Sequence, residues 1–162
     1  MGVSEPSHIQ LFAQVQDALP AGGGALRCEA PSASAATVEP RRAVVLIVDD
    51  EATIGAMLGR ALRGHDVTIV SSVKDAIAQL DAGREFDVIL SDLMMPVASG
   101  MDLYDVLTRR FPAAAGRVVF MSGGVFTRGT QAFLARLPNE HIEKPFRVDE
   151  VRALVERFVR SS

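Results

Sequence analysis

The strongest constraint on the fold of this sequence is a regular alternation of short apolar runs with longer amphipathic segments, from residue 44 to residue 162. The apolar runs favour β-strands, and the five of them lie at 44–48, 67–70, 87–91, 117–121 and 141–143. The segments that follow have helical spacing, and they lie at 53–63, 72–82, 101–110, 127–137 and 148–160. Strands that are apolar through their middles and alternate with helices indicate a parallel sheet covered on both faces. We therefore predict an α/β domain of (βα)5 order, a three-layer sandwich, over residues 44–162.

Residues 1–43 lack this alternation and read as a separate segment. Residues 20–40 are rich in Ala, Gly, Pro and Ser, a composition that buries little apolar surface and is typical of a flexible linker. Before the linker, apolar residues recur with the spacing of one helix face, and these are Leu11, Val15 and Leu19. This spacing predicts a short helix over 7–19 within a flexible N-terminal segment.

Charge, cysteine content and hydropathy narrow the class of protein. The 17 Lys and Arg residues against 20 Asp and Glu residues give a net charge of -3, which argues against a nucleic-acid or anionic membrane surface. The single cysteine, Cys28, excludes an internal disulfide and suits a reducing compartment. The aliphatic run at 44–48 is too short to cross a membrane, and no basic start leads into an apolar stretch at the N-terminus. We therefore predict a cytoplasmic protein that binds neither nucleic acid nor a membrane.

Polar side chains follow the predicted strands at the edge where open α/β sheets bind their ligands. Asp49 and Asp50 follow the first strand, and Asp92 follows the third. Ser122 follows the fourth strand, and Lys144 follows the fifth. Carboxylates crowded at short range repel one another unless a cation lies between them, and Mg²⁺ prefers such oxygen ligands. The sequence therefore predicts a magnesium site at this edge of the sheet.

The same five residues suit the transfer of a phosphoryl group. An aspartate carboxylate can attack phosphorus, and the anionic group in transit needs cations close by. Asp92 can attack while Asp49 and Asp50 hold the metal. Lys144 can neutralise phosphate oxygens, and the hydroxyl of Ser122 can donate a hydrogen bond to one of them. This set predicts Mg²⁺-dependent formation of an aspartyl phosphate.

In this order and spacing, these residues resemble the response-regulator receiver domain of two-component signalling. The matching stretches are VVLIVDDE (44–51), VILSDLMMP (88–96), VVFMSGG (118–124) and EKPF (143–146). The resemblance covers residues 44–162 and implies a flavodoxin-like fold with the strand order 2-1-3-4-5.

The resemblance also implies a role for each residue at the strand ends. Asp92 would be the phosphoacceptor, and Asp49 and Asp50 would be the acidic pair that holds Mg²⁺ together with it. Ser122 matches the hydroxyl switch residue of the family, and Lys144 matches its phosphate-binding lysine. We also expect a cis peptide bond between Lys144 and Pro145, which would turn the ammonium group inward.

Three further positions distinguish this sequence within the family. The main-chain carbonyl of Met94 resembles the family's third protein ligand to the metal. The side chain at this position is a thioether, whereas many members of the family have a polar side chain there. Neither Met94 nor Gly124 can orient an attacking water, which predicts a long-lived phosphorylated state. His141 stands where the family often has Tyr or Phe, and it is a candidate switch residue.

The resemblance implies a phosphohistidine on a sensor histidine kinase or a histidine phosphotransfer protein as the phosphodonor. We expect phosphorylation to change the surface of the fourth and fifth βα units, through which a homodimer would form. The linker and the stretch 123–146 are similar to C-terminal receivers of hybrid sensor histidine kinases, so a stand-alone receiver and a hybrid-kinase receiver are both open. We find no kinase core in the sequence, and we expect only Mg²⁺-dependent self-phosphorylation and slow autodephosphorylation rather than enzymatic turnover.

Two other classes of protein are alternatives. An aspartate-nucleophile phosphatase of the haloacid-dehalogenase type needs its nucleophile on the first strand and an acid two residues later, a pattern that 49–53 fits only loosely. A flavodoxin-like FMN binder needs a phosphate loop rich in Ser, Thr and Gly after the first strand. This sequence has acidic residues there, and they would repel phosphate in the absence of a metal.

Overall fold

The computed structural model describes residues 41–124 and 127–161. The strands are β1 (Val44–Val48), β2 (Asp66–Val70), β3 (Val88–Asp92), β4 (Val118–Gly123) and β5 (His141–Lys144). The helices are α1 (Ala52–Ala61), α2 (Val73–Asp81), α3 (Gly100–Arg110), α4 (Pro112–Ala115), α5 (Arg128–Leu134) and α6 (Val148–Ser161). The helix predicted over 7–19, the linker predicted over 20–40 and Cys28 lie outside the described residues.

The five strands form one parallel sheet in the order β2-β1-β3-β4-β5, which confirms the predicted fold and strand order. Strands β1 and β3 are neighbours at the centre of the sheet, where Val48 pairs with Ser91. The next residue along each strand direction is an aspartate, Asp49 or Asp92, so the register brings these two residues level. The topology therefore places the two acidic positions side by side at the carboxyl edge.

Two apolar cores lie on opposite faces of the sheet, because successive strand residues point to opposite sides. On one face Leu46, Ile89 and Phe120 pack with residues of α2 and α3. On the other face Ile47, Leu90 and Met121 pack with residues of α1 and α6. A sheet buried on both faces explains why the central strands read as unbroken apolar runs. Packing on both faces also fixes the strands that end at the acidic residues.

The helices differ from the prediction in two places. The short helix α4 was not predicted, because four residues after Phe111 are too few to show helical periodicity. The helix predicted over 127–137 spans only seven residues, since α5 ends at Leu134 and the chain then turns. The longest helix in the described part of the chain is α6, with 14 residues. No helix in that part combines the length and apolar character that crossing a bilayer requires.

Candidate functional site

Three carboxylates meet at the carboxyl edge of the central strands. One oxygen from each of Asp49, Asp50 and Asp92 lies within 4.8 Å of the others. Asp49 and Asp92 are buried, with 2% and 7% of their surfaces exposed, whereas Asp50 is exposed. Asp92 is the last residue of β3 rather than the first residue after it, so its backbone is held by the sheet. The structure thus brings together the three acidic residues identified from the sequence.

Lys144 bridges the two buried carboxylates. Its Nζ lies 2.9 Å from Oδ2 of Asp49 and 3.0 Å from Oδ2 of Asp92, and only 18% of its side chain is exposed. Burial alone would lower the pKa of Lys144, but the hydrogen bonds and charges of Asp49 and Asp92 outweigh burial and raise the pKa. The ammonium group is therefore charged at neutral pH. The Lys144–Pro145 peptide bond is cis, as predicted, and the side chain reaches into the acidic cluster.

Backbone amides orient the same two carboxylates. The N–H of Glu51 donates to Oδ1 of Asp49 over 2.8 Å. The N–H of Met94 donates to Oδ1 of Asp92 over 3.2 Å. Each buried aspartate therefore gives one oxygen to the main chain and the other to Lys144. Because both carboxylates are preoriented, a ligand at this edge would meet a defined set of oxygen atoms.

Ser122 lies within β4 and is buried, with 1% of its surface exposed. Its Oγ donates a long hydrogen bond of 3.4 Å to the carbonyl oxygen of Ile142 on the neighbouring strand. In the sheet register Ser122 pairs with Glu143, the residue before Lys144. The hydroxyl is thus hydrogen-bonded to the main chain of β5 rather than to the carboxylates.

Three predicted residues lie outside the acidic cluster. Met94 follows Asp92 by two residues, and 55% of its surface is exposed. Gly124 is exposed, and a Cβ built on it would have no atom within 4 Å. His141 is exposed at the start of the edge strand β5 and lines a shallow cleft beside α5. The side chains of Met94 and His141 therefore add no oxygen ligand to the acidic cluster, and Gly124 has no side chain.

The sequence prediction missed Ser99 and Gly100, which begin α3 directly against the main chain of Asp92. Ser99 and Asp102 form a capping box, in which Oγ of Ser99 accepts from the N–H of Asp102 and the Asp102 carboxylate accepts from the N–H of Ser99. A Cβ built on Gly100 would lie 2.5 Å from the carbonyl oxygen of Asp92. The spacing of Ser99 and Asp102 was a readable capping signal. The contact of Gly100 with Asp92 could not be predicted from the sequence, since it depends on how closely α3 approaches the end of β3.

The donor set suits a hard divalent cation. Mg²⁺ takes oxygen ligands and is commonly held by one or two carboxylates together with phosphate and water. The oxygens of Asp49, Asp50 and Asp92 are close enough to share one ion, and two of the carboxylates are fixed by backbone N–H groups. The residues present therefore fit the predicted magnesium site.

Comparison with known proteins places the chain in a family. Residues 45–156 match the response regulator receiver domain. The DNA-binding transcriptional regulator NtrC of Escherichia coli K12 is 31% identical over 120 residues, which are 74% of this chain and 25% of NtrC. The transcriptional regulatory protein TcrA of Mycobacterium tuberculosis is 30% identical over 118 residues, which are 72% of this chain and 46% of TcrA. The chain thus spans between a quarter and a half of the length of these relatives.

Solved structures show the same architecture. The receiver domain of the Francisella response regulator 1452 superposes with a TM-score of 0.64 at 24% identity, over 74% of this chain and 98% of that one. The receiver domain of NtrX from Brucella abortus gives a TM-score of 0.63 at 25% identity, over 73% of this chain and 99% of that one.

The relatives bear on the more detailed predictions as well. NtrC and TcrA are named as transcriptional regulators, so they do not confirm the predicted similarity to hybrid sensor kinases. The matched family is a receiver rather than a kinase core, and it disfavours the phosphatase alternative. The family match covers residues 45–156, and the sheet has the strand order β2-β1-β3-β4-β5 that the resemblance implied. This chain therefore belongs to the response regulator receiver domain family of two-component signalling.

Proposed function

We propose that this chain accepts a phosphoryl group from a phosphohistidine onto Asp92, in a reaction that requires Mg²⁺. The observation that carries the proposal is the position of the Asp92 carboxylate. It lies 3.0 Å from the ammonium group of Lys144 and shares a cluster with Asp49 and Asp50. A nucleophilic carboxylate beside both a cation and a metal-ligating acidic pair suits attack on an anionic phosphoryl group.

In the proposed step, a carboxylate oxygen of Asp92 forms a bond to phosphorus while the bond from phosphorus to the imidazole nitrogen of the donor breaks. The imidazole leaves with the bonding electron pair and is then protonated by solvent. Mg²⁺ held by Asp49, Asp50, Asp92 and the Met94 carbonyl would offset the negative charge of the phosphoryl oxygens. Lys144 is already charged and within reach of Asp92, so it can bind a phosphoryl oxygen without a long rearrangement.

Phosphorylation would also change the partner of Ser122. Its hydroxyl now donates to the Ile142 carbonyl over 3.4 Å, a weak interaction that a phosphoryl oxygen can replace. A hydroxyl that changes partner only when phosphate is present supplies the differential contact that a two-state switch needs. We propose that this exchange of partner changes the conformation of β4, α5 and β5. We also propose that a homodimer forms through the surface of these three elements. His141, at the start of β5, would take part in the change.

The proposed phosphodonor is a sensor histidine kinase or a histidine phosphotransfer protein. The chain has a net charge of -3, and we propose that it binds neither nucleic acid nor a membrane and works in the cytoplasm. We propose that its own activity is limited to self-phosphorylation and slow autodephosphorylation. A stand-alone receiver and the receiver of a hybrid kinase remain the two proposed contexts, preceded in either case by the segment of residues 1–43.

Intact-mass spectrometry tests the proposed function. We expect wild-type protein incubated with acetyl phosphate and Mg²⁺ to gain one phosphoryl group, and we expect EDTA to abolish the gain. Asp92→Asn removes the nucleophile and should abolish it as well. The matched control is Asp105→Asn, which changes an exposed aspartate of α3 and should leave the gain intact. An Asp92→Asn protein labelled as fully as wild type would contradict the proposal.

A further inference from the structure

The first turn of α3 packs directly against the main chain of the proposed phosphoacceptor. A Cβ built on Gly100 would lie 2.5 Å from the carbonyl oxygen of Asp92 and 3.0 Å from Oγ of Ser91. The obstacle is backbone at the end of a central strand rather than the flexible tip of a side chain. Any side chain at position 100 would therefore force either α3 or the end of β3 to move.

The helix side of this contact is held in place. Ser99 donates its N–H to Oδ2 of Asp102 over 2.7 Å, and Oγ of Ser99 accepts the N–H of Asp102 over 3.3 Å. The N–H of Gly100 donates to the carbonyl oxygen of Leu93 over 3.3 Å, which closes the loop between β3 and α3. Within that loop Val97 has a φ of 71°, a left-handed conformation that a β-branched residue rarely adopts. Contacts at the two ends of the loop must therefore maintain its conformation.

The strand side is equally constrained. The carbonyl oxygen of Asp92 accepts a hydrogen bond of 3.3 Å from Oγ of Ser91. The N–H of Leu93 donates to the carbonyl oxygen of Met121 over 2.9 Å, which continues the pairing of β3 with β4. The Asp92 carboxylate is in turn bound to the N–H of Met94. A displacement of the Asp92 main chain would thus shift both its carboxylate and Met94 relative to Asp49.

We infer that Gly100 is a positioning residue for metal binding. Its missing side chain allows α3 to abut the Asp92 main chain, and this contact sets the distance of the Asp92 carboxylate from Asp49 and Asp50. The inference rests on the proposed function, which makes Asp92 a metal ligand. If Gly100 served packing alone, a methyl group there would lower the stability of the fold and leave the metal affinity of the folded protein unchanged.

Isothermal titration of the metal-free full chain with Mg²⁺ separates these two roles. The test variant is Gly100→Ala, and its matched control is Gly116→Ala, where an added Cβ meets no atom within 4 Å. We expect the Mg²⁺ Kd to rise by about tenfold in Gly100→Ala, the size of effect seen when residues that support metal ligands are changed. We expect Gly116→Ala to match wild type. Amide NMR spectra of each variant report whether the titrated protein is folded.

A second variant covers the case in which Gly100→Ala does not fold. Ser99→Ala removes the capping hydroxyl, keeps the glycine and should raise the Mg²⁺ Kd by a smaller factor. Unchanged affinity in folded Gly100→Ala, or in Ser99→Ala where the first variant is unfolded, would overturn the positioning role while leaving the proposed function standing. Wild-type protein that binds no Mg²⁺ would instead overturn the proposed function itself.

Discussion

Nζ of Lys144 lies 2.9 Å from Oδ2 of Asp49, although the two residues are 95 positions apart in the sequence. The side chain of Asp49 is fully buried, and its charge is compensated by this ammonium group and by the N–H of Glu51. The same nitrogen reaches Asp92. One cation thus holds together the ends of β1, β3 and β5, and it occupies the position from which it could later bind a phosphoryl oxygen.

Replacing this cation should destabilise the fold in a way that Mg²⁺ can repair. Lys144→Met leaves the two buried carboxylates without a cationic partner, and we expect the free energy of unfolding to fall by about 3 kcal/mol. Added Mg²⁺ should raise the Tm of this variant more than that of wild type, because the ion then supplies the missing positive charge. Thermal melts with and without Mg²⁺ measure both effects. Lys74→Met, which changes the exposed lysine of α2, is the control, and equal Tm values for the two variants would refute the prediction.

The capping box of α3 should make stability depend on pH. Hydrogen bonds from the side chain and the N–H of Ser99 hold the pKa of the Asp102 carboxyl below its usual value. A pKa lowered by folding stabilises the protein above the pKa of the unfolded state, and this contribution is lost as pH falls through the folded value. We expect the Tm difference between wild type and Asp102→Ala to be full at neutral pH and to shrink towards about pH 3.

Asp105→Ala is the control for this experiment, since it removes an exposed carboxylate of the same helix that takes no part in the capping box. Its Tm difference from wild type should change less over the same pH range. A Tm difference for Asp102→Ala that stays constant across the range would show that the capping carboxylate does not titrate as described.

Ser122→Ala should separate phosphorylation from its structural consequence. The variant keeps Asp92, Lys144 and the acidic pair, so we expect it to gain a phosphoryl group. It lacks the hydroxyl that would exchange Ile142 for phosphate, so amide shift changes over residues 127–142 should be smaller than in wild type. Amide NMR spectra before and after phosphorylation measure this. Shift changes of full size in the variant would mean that the signal travels by another route.

The lifetime of the phosphorylated state should depend on Met94 and Gly124. Hydrolysis needs a water held in line with the bond to phosphorus, and neither a thioether nor a bare backbone holds one well. Met94→Asn and Gly124→Glu add groups that can orient this water, and we expect dephosphorylation to become about tenfold faster. Loss of the phosphoryl mass over time at constant Mg²⁺ gives the rates. If neither variant loses phosphate faster than wild type, these positions do not set the lifetime.

Much of the fold was predictable because its signals are local. The run at 44–48 coincides with β1, since a strand buried on both faces has to be apolar throughout. The end of β3 was placed one residue too early, because Asp92 is polar and yet belongs to the strand. The helix α4 was missed because four residues carry no periodicity.

The residues of the site could be predicted from the sequence, but the contact that holds Asp92 in place could not. Parallel strands bring their carboxyl ends to one edge, so Asp49 and Asp92 could be placed together from the strand order alone. We expected Lys144 to point inward, and the structure adds that its Nζ reaches both carboxylates. The contact between Gly100 and Asp92 left no pattern in the sequence, because it depends on how closely α3 approaches the end of β3.

The most direct test of the account is to locate the phosphorylated residue chemically. Borohydride reduces an aspartyl phosphate to homoserine, so treating the phosphorylated protein and sequencing its peptides by mass spectrometry identifies the acceptor. The account predicts homoserine at position 92, and only when Mg²⁺ was present during phosphorylation. Homoserine at Asp49 or Asp50 instead, with Asp92 unchanged, would contradict it and would return the phosphatase-type nucleophile on the first strand to consideration.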